Sequence, residues 1–268
     1  MKSAVSANEL YHFTKQLDYL KSILKNGFYP RCCVENFSFV FKELPKEESN
    51  IGYCMVCFCD LPEPLQENHR NNYGEYGISL KKEWGLKNGI CPILYIPESD
   101  REGTAIASIQ YISSQIKGLV KSHIKNYEAQ QFIGELMGES YQLFGYLKKY
   151  EEKFRDGSVK CYYDEREWRY LMPWLDGESQ KLNCTNAVIG EDTNNMCIIN
   201  NLNRRMEKRA LKFNVDDIEK IILPSDNDKN EMRDFIREED SLGRENLNLL
   251  DYMSLTDDNR EKLSKKIL

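Results

Sequence analysis

The chain has 268 residues, of which 41% are hydrophobic and 30% are charged, and its formal net charge at pH 7 is −6. This balance is typical of a folded globular protein and excludes a disordered polar chain. The negative charge argues against nonspecific binding to nucleic acid or anionic lipid, although a local basic cleft is compatible with it. Because the sequence has neither a signal-peptide pattern nor about 18 consecutive apolar residues, we expect a cytoplasmic protein without membrane contacts. We also expect one domain over residues 1–268.

The nine cysteines are an odd count, which favours reduced thiols over a disulfide framework. Four residues resemble a set of metal ligands in their spacing, namely Cys54, Cys57, Cys59 and His69. Residues 53–61 are predicted as a strand, which places Cys57 and Cys59 on one face and Cys54 on the other. We therefore expect buried thiols and no metal, and a zinc-dependent nuclease stays an alternative.

The first hundred residues have the pattern of short strands with two helices. Residues 10–14 are predicted as a strand and 17–24 as a helix, with Gly27 at the position of a helix C-cap. Further strands are predicted at 37–41, 55–60, 78–80 and 92–96, and a short helix at 66–71.

The rest of the chain changes its periodicity twice. Apolar residues at helical spacing predict two helices within about 104–156, inserted between β-rich segments. Strands are then predicted at 162–171, 187–189 and 218–223, and a polar helix at 229–238 opens a helical tail over about 228–268. The predicted fold class is therefore α+β.

The segment 162–169 carries the candidate site that we expect to perform chemistry. Side chains two apart in a strand point the same way, so Glu165, Glu167 and Arg169 are predicted to line one face. Two neighbouring carboxylates raise the pKa of one of them, whereas the guanidinium favours ionisation, and such competition is typical of acid/base or ribose-binding sites. The alternative is an exposed strand face with a structural ion pair.

Histidines are rare in this chain, and His12 is the most suggestive of the three because it lies in the first predicted strand, between Tyr11 and the Phe-Thr pair that ends at Thr14. A histidine beside aromatic residues is either a hydrogen-bonded core residue or a ligand-binding group. His69 is a weaker candidate for a contact to the site, and His123 lies on the polar side of a predicted helix.

Tyr73 and Tyr76 bracket Gly74, so their rings can present flat faces to a planar ligand, and simple turn packing is the alternative. No phosphate-binding or dinucleotide glycine motif is present, which argues against a nucleotide triphosphatase or a Rossmann enzyme.

Six blocks in order carry a resemblance to a known family. They are LYHFT at 10–14, ILKNGF at 23–28, VCFCD at 56–60, YGEYGI at 73–78, KEWG at 82–85 and DEREWR at 164–169. Together, over roughly residues 8–225, they resemble the AbiGi family of abortive phage-resistance proteins. That resemblance implies an antitoxin in phage defence, with a nucleotidyltransferase-like toxin as its partner protein.

A wider resemblance is to the ADP-ribosyltransferase fold, including DarT-like toxins, in which NAD binds in a cleft of a split β-sheet. It implies that His12 holds the adenosine-side ribose, that Tyr73 or Tyr76 stacks on nicotinamide, that Glu167 binds the nicotinamide ribose and that Glu165 orients a nucleic-acid or protein acceptor. The remaining NAD-binding residues that it implies are Tyr11, Thr14 and Arg169.

One block departs from that second resemblance. The sequence Cys57-Phe58-Cys59-Asp60 stands where many ADP-ribosyltransferases have a Ser-Thr-Ser-like strand. Two hypotheses follow: an NAD-dependent ADP-ribosyltransferase that stops phage production, and an antitoxin that binds a toxin without catalysis. His12 together with Glu165 and Glu167 favours the first, and the AbiGi resemblance favours the second.

Overall fold

The computed structural model describes residues 7–99, 101–122, 126–154, 156–174, 185–238 and 253–255. Its strands are β1 (Glu9–Thr14), β2 (Arg31–Asn36), β3 (Asn50–Cys59), β4 (Tyr76–Lys81), β5 (Cys91–Pro92), β6 (Leu94–Ile96), β7 (Leu147–Lys149), β8 (Glu151–Lys153), β9 (Val159–Cys161), β10 (Glu167–Leu171), β11 (Ala187–Ile189), β12 (Ile218–Leu223) and β13 (Met253–Leu255). Its α-helices are α1 (Leu17–Asn26), α2 (Glu67–Tyr73), α3 (Lys82–Lys87), α4 (Ala105–Lys121), α5 (Tyr127–Phe144), α6 (Met196–Met206) and α7 (Asp226–Glu238). The predicted α+β class is confirmed.

The first helix shows how the local sequence produces the predicted element. Leu17, Leu20 and Leu24 recur at helical spacing and are all buried, so α1 packs one apolar stripe onto the sheet. The helix ends at Gly27, which adopts φ +76° and donates its N–H to the carbonyl of Ile23 at 2.8 Å. Only glycine takes this backbone conformation without steric cost, and the predicted C-cap is confirmed.

The long strand β3 is the centre of the main sheet, and each of its edges is covered by two strands in succession. On one edge β2 pairs with residues 50–55, and β1 pairs through Tyr11 with Cys59. On the other edge β11 pairs with residues 51–53 and β10 with residues 55–59. The sheet continues from β1 through β4 and β12 to β13, and from β10 to β5. Among the described strands of this sheet, β12 and β13 form the one parallel pair.

Different helices cover the two faces of this sheet. We call the side on which Phe58 and Ile78 pack with α1 and α7 the α1 face. On the opposite side, Tyr53 and Leu171 pack against α4 and α5, and we call this side the insertion face. Paired residues on neighbouring strands share a face, so the register decides which side each polar group occupies.

Three predicted elements were wrong in type or extent. Residues 37–41 form turns, not a strand, and Phe37 and Phe39 enter the core from a loop, while β2 lies just before them without a clear alternation in sequence. The predicted strand 162–171 begins only at Glu167, since Tyr162–Glu165 is a 3₁₀ helix. Helix α5 ends at Phe144, and the residues up to 154 continue as β7 and β8.

Other predicted elements are confirmed with small shifts of their bounds, among them the short helix α2, the strands β11 and β12 and the polar helix α7. Helices α4 and α5 lie between β6 and β7, as predicted for an insertion between β-rich segments. Helix α6 was not predicted. His123 and most of the predicted helical tail beyond residue 238 lie outside the described residues. Within that tail, residues 253–255 form the strand β13, which pairs with β12, so the prediction of helix is wrong there.

Candidate functional site

Arg169 is the centre of a buried charged site on the insertion face. It lies on β10 opposite Cys57 and is fully buried, and its Nε donates to Oε1 of Glu167 at 2.6 Å. Its Nη2 donates to Oε1 of Glu35 on β2 at 2.7 Å, and its Nη1 to the carbonyl of Gly145 at 2.7 Å. The guanidinium therefore ties three separate segments together.

Lys148 connects this arginine cluster to the second glutamate. Its Nζ lies 2.8 Å from Oε2 of Glu167 and 2.9 Å from Oε2 of Glu165. Glu165 also pairs with Lys160 on β9, at 2.9 Å. The sequence did not single out Lys148 or Lys160, because each comes from a strand that a local pattern does not connect to β10.

Glu165 reaches the site by a different route from the predicted one. It ends a 3₁₀ helix, and the next residue, Arg166, adopts a left-handed conformation with φ +43° before the strand begins at Glu167. Strand alternation thus places Glu167 and Arg169 on one face as predicted, whereas a turn brings Glu165 beside them. The three predicted charged residues converge, although the predicted reason holds for two of them.

The six charged groups form what we call the charged network: Glu35, Lys148, Lys160, Glu165, Glu167 and Arg169. Three carboxylates face three cations, so the formal charges cancel. Glu167 is 8% exposed, and both of its oxygens accept charge-assisted hydrogen bonds. The network is therefore closed on itself in this structure.

The charges in the network control the ionisation of its carboxylates. Burial by itself would raise the pKa of Glu167, but the charges of Arg169 and Lys148 outweigh burial and lower this pKa from 4.5 to about 2. Burial would also raise the pKa of Glu165, but the charges of Lys148 and Lys160 outweigh burial and lower this pKa as well. Neither carboxylate has the raised pKa of a general acid.

Tyrosines surround the network. The hydroxyl of Tyr73 donates to Oε1 of Glu165 at 3.2 Å, and the hydroxyl of Tyr95 accepts the backbone N–H of Glu167 at 2.8 Å. The ammonium groups of Lys148 and Lys160 lie 5.0 and 4.8 Å from the ring centroid of Tyr162. The site therefore combines ion pairs with an aromatic rim, and of these tyrosines Tyr73 was predicted.

The structure does not bring His12 to the charged network. His12 lies on the α1 face, where its ring contacts Phe28 and Phe58 at 5.1 and 5.8 Å between centroids. Its Nδ1 donates to the carbonyl of Cys57 at 2.8 Å, and burial lowers its pKa below 6.5 against the effect of this bond. These contacts are those of a neutral, half-buried histidine that is hydrogen-bonded to the backbone.

His69 is the histidine that lies on the carboxylate side. Its ring lies 4.4 Å from that of Tyr73 and 5.8 Å from that of Phe13, which points to the same face as Glu167. Its Nδ1 is buried without a hydrogen-bond partner among the described residues. Burial lowers the pKa of His69 from 6.5 to about 4, although the two glutamates oppose this. The sequence favoured His12 instead, because His12 lies in the first predicted strand between aromatic residues.

The remaining predicted binding residues are dispersed. Tyr11 shares the face of Glu167 but is buried and stacked on Phe13. The hydroxyl of Thr14 bonds to the backbone of Gln16 at the start of α1, and the hydroxyl of Tyr76 donates to Asp228 of α7 at 3.0 Å. Of the eight predicted site residues, the structure thus gathers Glu165, Glu167, Arg169 and Tyr73.

The four residues with metal-like spacing also separate. Cys57 and Cys59 lie opposite Arg169 and Glu167, whereas Cys54 packs on the other face with Met172. Burial raises the pKa of the Cys54 thiol to about 12. Within the described residues, no group of three or more His, Cys, Asp or Glu side chains could hold a metal ion.

A polar cavity of about 330 Å³ adjoins the charged network on the side of Glu35 and Lys148. Its other charged lining residues are Lys46, Lys149 and Glu152. Lys149 pairs with Glu98 at 3.0 Å, and the hydroxyl of Tyr162 donates to Glu152 at 2.8 Å. The polar groups around this cavity are thus also largely paired with one another.

The fold and site define an α+β protein with a mostly antiparallel sheet and a buried, charge-balanced cluster on one face. Residues 26–224 match the family described as "Putative abortive phage resistance protein AbiGi, antitoxin", and the chain belongs to this family. It is also similar to "Abortive phage resistance protein AbiGi" of Lactococcus lactis subsp. cremoris, with 27% identity over 166 residues. The match covers 58% of this chain and 65% of the relative, just under two thirds of its length.

No solved structure matches the chain. Across the described helices, none combines the length and the apolar content needed to cross a membrane.

Proposed function

We propose that this chain is the antitoxin of an abortive-infection pair and that it acts in phage defence by binding a toxin, without transferring ADP-ribose. The observation that carries this proposal is the closed charged network. Both oxygens of Glu167 are bonded to the cations of Arg169 and Lys148, and the residue is 8% exposed. The family to which the chain belongs supports the antitoxin role.

The chemistry of a transferase would place different demands on Glu167. Cleaving the bond to nicotinamide builds positive charge on the ribose, and a carboxylate must contact that sugar to stabilise the charge. Here Arg169 and Lys148 already supply the positive charge, and separating them from a buried carboxylate is costly. His12, which the resemblance assigns to the second ribose, lies on the opposite face of the sheet.

Co-expression tests the antitoxin proposal. A candidate toxin of the nucleotidyltransferase-like class is expressed from an inducible promoter, with and without the chain. We expect the toxin to arrest growth alone, the chain to restore growth, and Glu167→Gln to restore it as well when the variant accumulates to the wild-type level. Growth arrest by the chain alone, relieved by Glu167→Gln, would contradict the proposal.

A second candidate function is NAD-dependent ADP-ribosylation of a nucleic acid or protein. One observation favours it, namely that Tyr73, Glu165 and Glu167 converge. In this reaction NAD is the substrate, and a ligand has to displace Lys148 from the carboxylates.

Labelled NAD tests this second candidate. Purified chain is incubated with the label and with lysate from phage-infected cells, beside Glu167→Gln and a matched surface control, Glu238→Gln. Transfer that is lost only in Glu167→Gln would establish the transferase. If all three proteins give the same background level of label while the growth assay shows that the chain neutralises the toxin, ADP-ribosyltransferase activity is excluded.

A further inference from the structure

Helices α4 and α5 expose an apolar surface that their own fold leaves uncovered. Phe132 and Leu143 of α5 are 63% and 53% exposed. With Glu139 they are spaced at i, i+7 and i+11, which places the three side chains on one side of the helix. We call this row the α5 ridge. Helix α4 adds Ile112 and Val120, which are 51% and 52% exposed, and an apolar patch shared by two helices marks an interaction surface more often than a solvent face.

The same helical pair also forms a groove. It has a volume of about 550 Å³ and runs between α4, α5 and the loop at residues 40–44. From α4 it is lined by Tyr111, Lys117 and Val120, and from α5 by Met137 and Phe144. Its lining is mainly apolar and includes three charged side chains, namely Lys42 and Glu43 of the loop and Lys117 of α4.

The charges of the two helices are complementary. The described side chains of α4 include Lys117 and no acidic residue, whereas α5 contains Glu128, Glu135 and Glu139 and no basic residue. Lys117 and Glu139 form no ion pair with another described residue. A second copy of the chain, turned by a two-fold axis, would set α4 against α5 and satisfy both charges.

We propose that a second copy of this chain covers the helical pair, with the α5 ridge of each copy seated in the groove of the other. In such a two-fold contact every favourable pair occurs twice, because Lys117 of each copy meets Glu139 of the other. The two helices from each copy then pack as a four-helix arrangement. This inference does not rest on the proposed antitoxin role, since either function is compatible with a dimer.

Molar mass in solution tests the proposal. The full chain has a mass of 31.5 kDa, and light scattering behind gel filtration should give twice that value for the wild type. The double variant Phe132→Glu/Leu143→Glu should elute as a single copy. Val159→Glu is the matched control, because Val159 is 53% exposed but lies on β9, and it should remain dimeric.

Charge reversal tests the predicted pairing of the two helices. Glu139→Lys should weaken association by about tenfold or more, since it places like charges together, and adding Lys117→Glu should restore most of the loss. Circular dichroism of each variant verifies that the fold is retained.

Three results would overturn the proposal. The first is a wild type that stays monomeric at protein concentrations up to about 100-fold above a micromolar dissociation constant. The second is a dimer that the ridge variants leave intact, because its interface would then lie elsewhere. The third is a monomeric chain whose ridge variants lose toxin binding, which would assign this surface to the toxin.

Discussion

The charged network and the helical pair are neighbours in the chain but opposite in character. In the network, every charged group has an oppositely charged partner within 3 Å, and Arg169 is fully buried. On the helical pair, Phe132 and Leu143 are exposed, and Lys117 and Glu139 have no ionic partner among the described residues. Polar residues thus hold the fold together in one region, while apolar residues face solvent in the other.

This contrast reverses the usual expectation that charges mark function and apolar residues mark the core. A buried ion pair costs desolvation free energy, which its own partners offset, and little remains for a ligand. An exposed apolar surface retains its full gain on burial, about 25 cal/mol per Å² removed from water. The region best prepared for recognition is therefore the helical pair.

Removing the guanidinium should produce the largest loss of stability. Arg169→Met leaves Glu167 and Glu35 without their shared cation, and we expect the free energy of unfolding to fall by about 3–5 kcal/mol. Urea unfolding at pH 7 measures the change, with Lys208→Ala on an exposed position as the control. A loss no larger than that of the control would show that the network does not stabilise the fold.

Acid should weaken the same region over a defined pH range. The pKa of Glu167 is lowered from 4.5 to about 2, so its stabilisation is present above pH 4.5 and is lost as the pH falls towards 2. The full effect corresponds to about 3 kcal/mol. The free energy of unfolding, measured in urea at pH 7 and at pH 3, should change less between the two pH values for Glu167→Gln than for the wild type. An equal change in the two proteins would mean that the pKa of this carboxylate is not lowered.

The two histidines should respond in opposite directions to the same substitution. His69 has a buried Nδ1 without a partner among the described residues, so His69→Phe should leave stability unchanged or raise it by up to about 1 kcal/mol. His12 donates to the carbonyl of Cys57, so His12→Phe should lower stability by about 1 kcal/mol. Thermal unfolding compares the two variants directly, and losses of equal size would contradict their different environments.

The smallest effect is expected on the helical pair. Phe132→Ala removes an exposed ring and should change the free energy of unfolding by less than about 0.5 kcal/mol. The measurement belongs at the lowest usable protein concentration, where association contributes least. A loss of about 3 kcal/mol, the size typical of a core phenylalanine, would show that the ring is packed within its own chain.

Elements with a strong local pattern were predictable. Helix α1 has its apolar stripe and its glycine cap within eleven residues, and β12 ends in three apolar residues, 221–223, directly before Pro224. The segment 37–41 looked like a strand because it is aromatic, yet tertiary packing uses those rings from a loop. Strand β2 was missed because its half-buried residues do not alternate.

The candidate site was predictable in its centre and not in its surroundings. The alternation of side chains correctly placed Glu167 and Arg169 on one face, since both belong to one strand. Lys148 and Glu35 come from β7 and β2, and only the tertiary fold brings them within 3 Å of β10 residues. The side of the sheet on which His12 lies depends on register, which one sequence does not determine.

The position of Lys148 has a consequence for how this protein can change over evolution. Only three residues separate it from Phe144, the last residue of α5, and the carbonyl of Gly145 in between accepts from Arg169. A descendant that lost the inserted helices would no longer hold this lysine in place, so that among the described residues Glu165 would keep only Lys160, and Glu167 only Arg169, as an ionic partner. Presence of the insertion and acidity at positions 165 and 167 should therefore be inherited together, as one heritable unit.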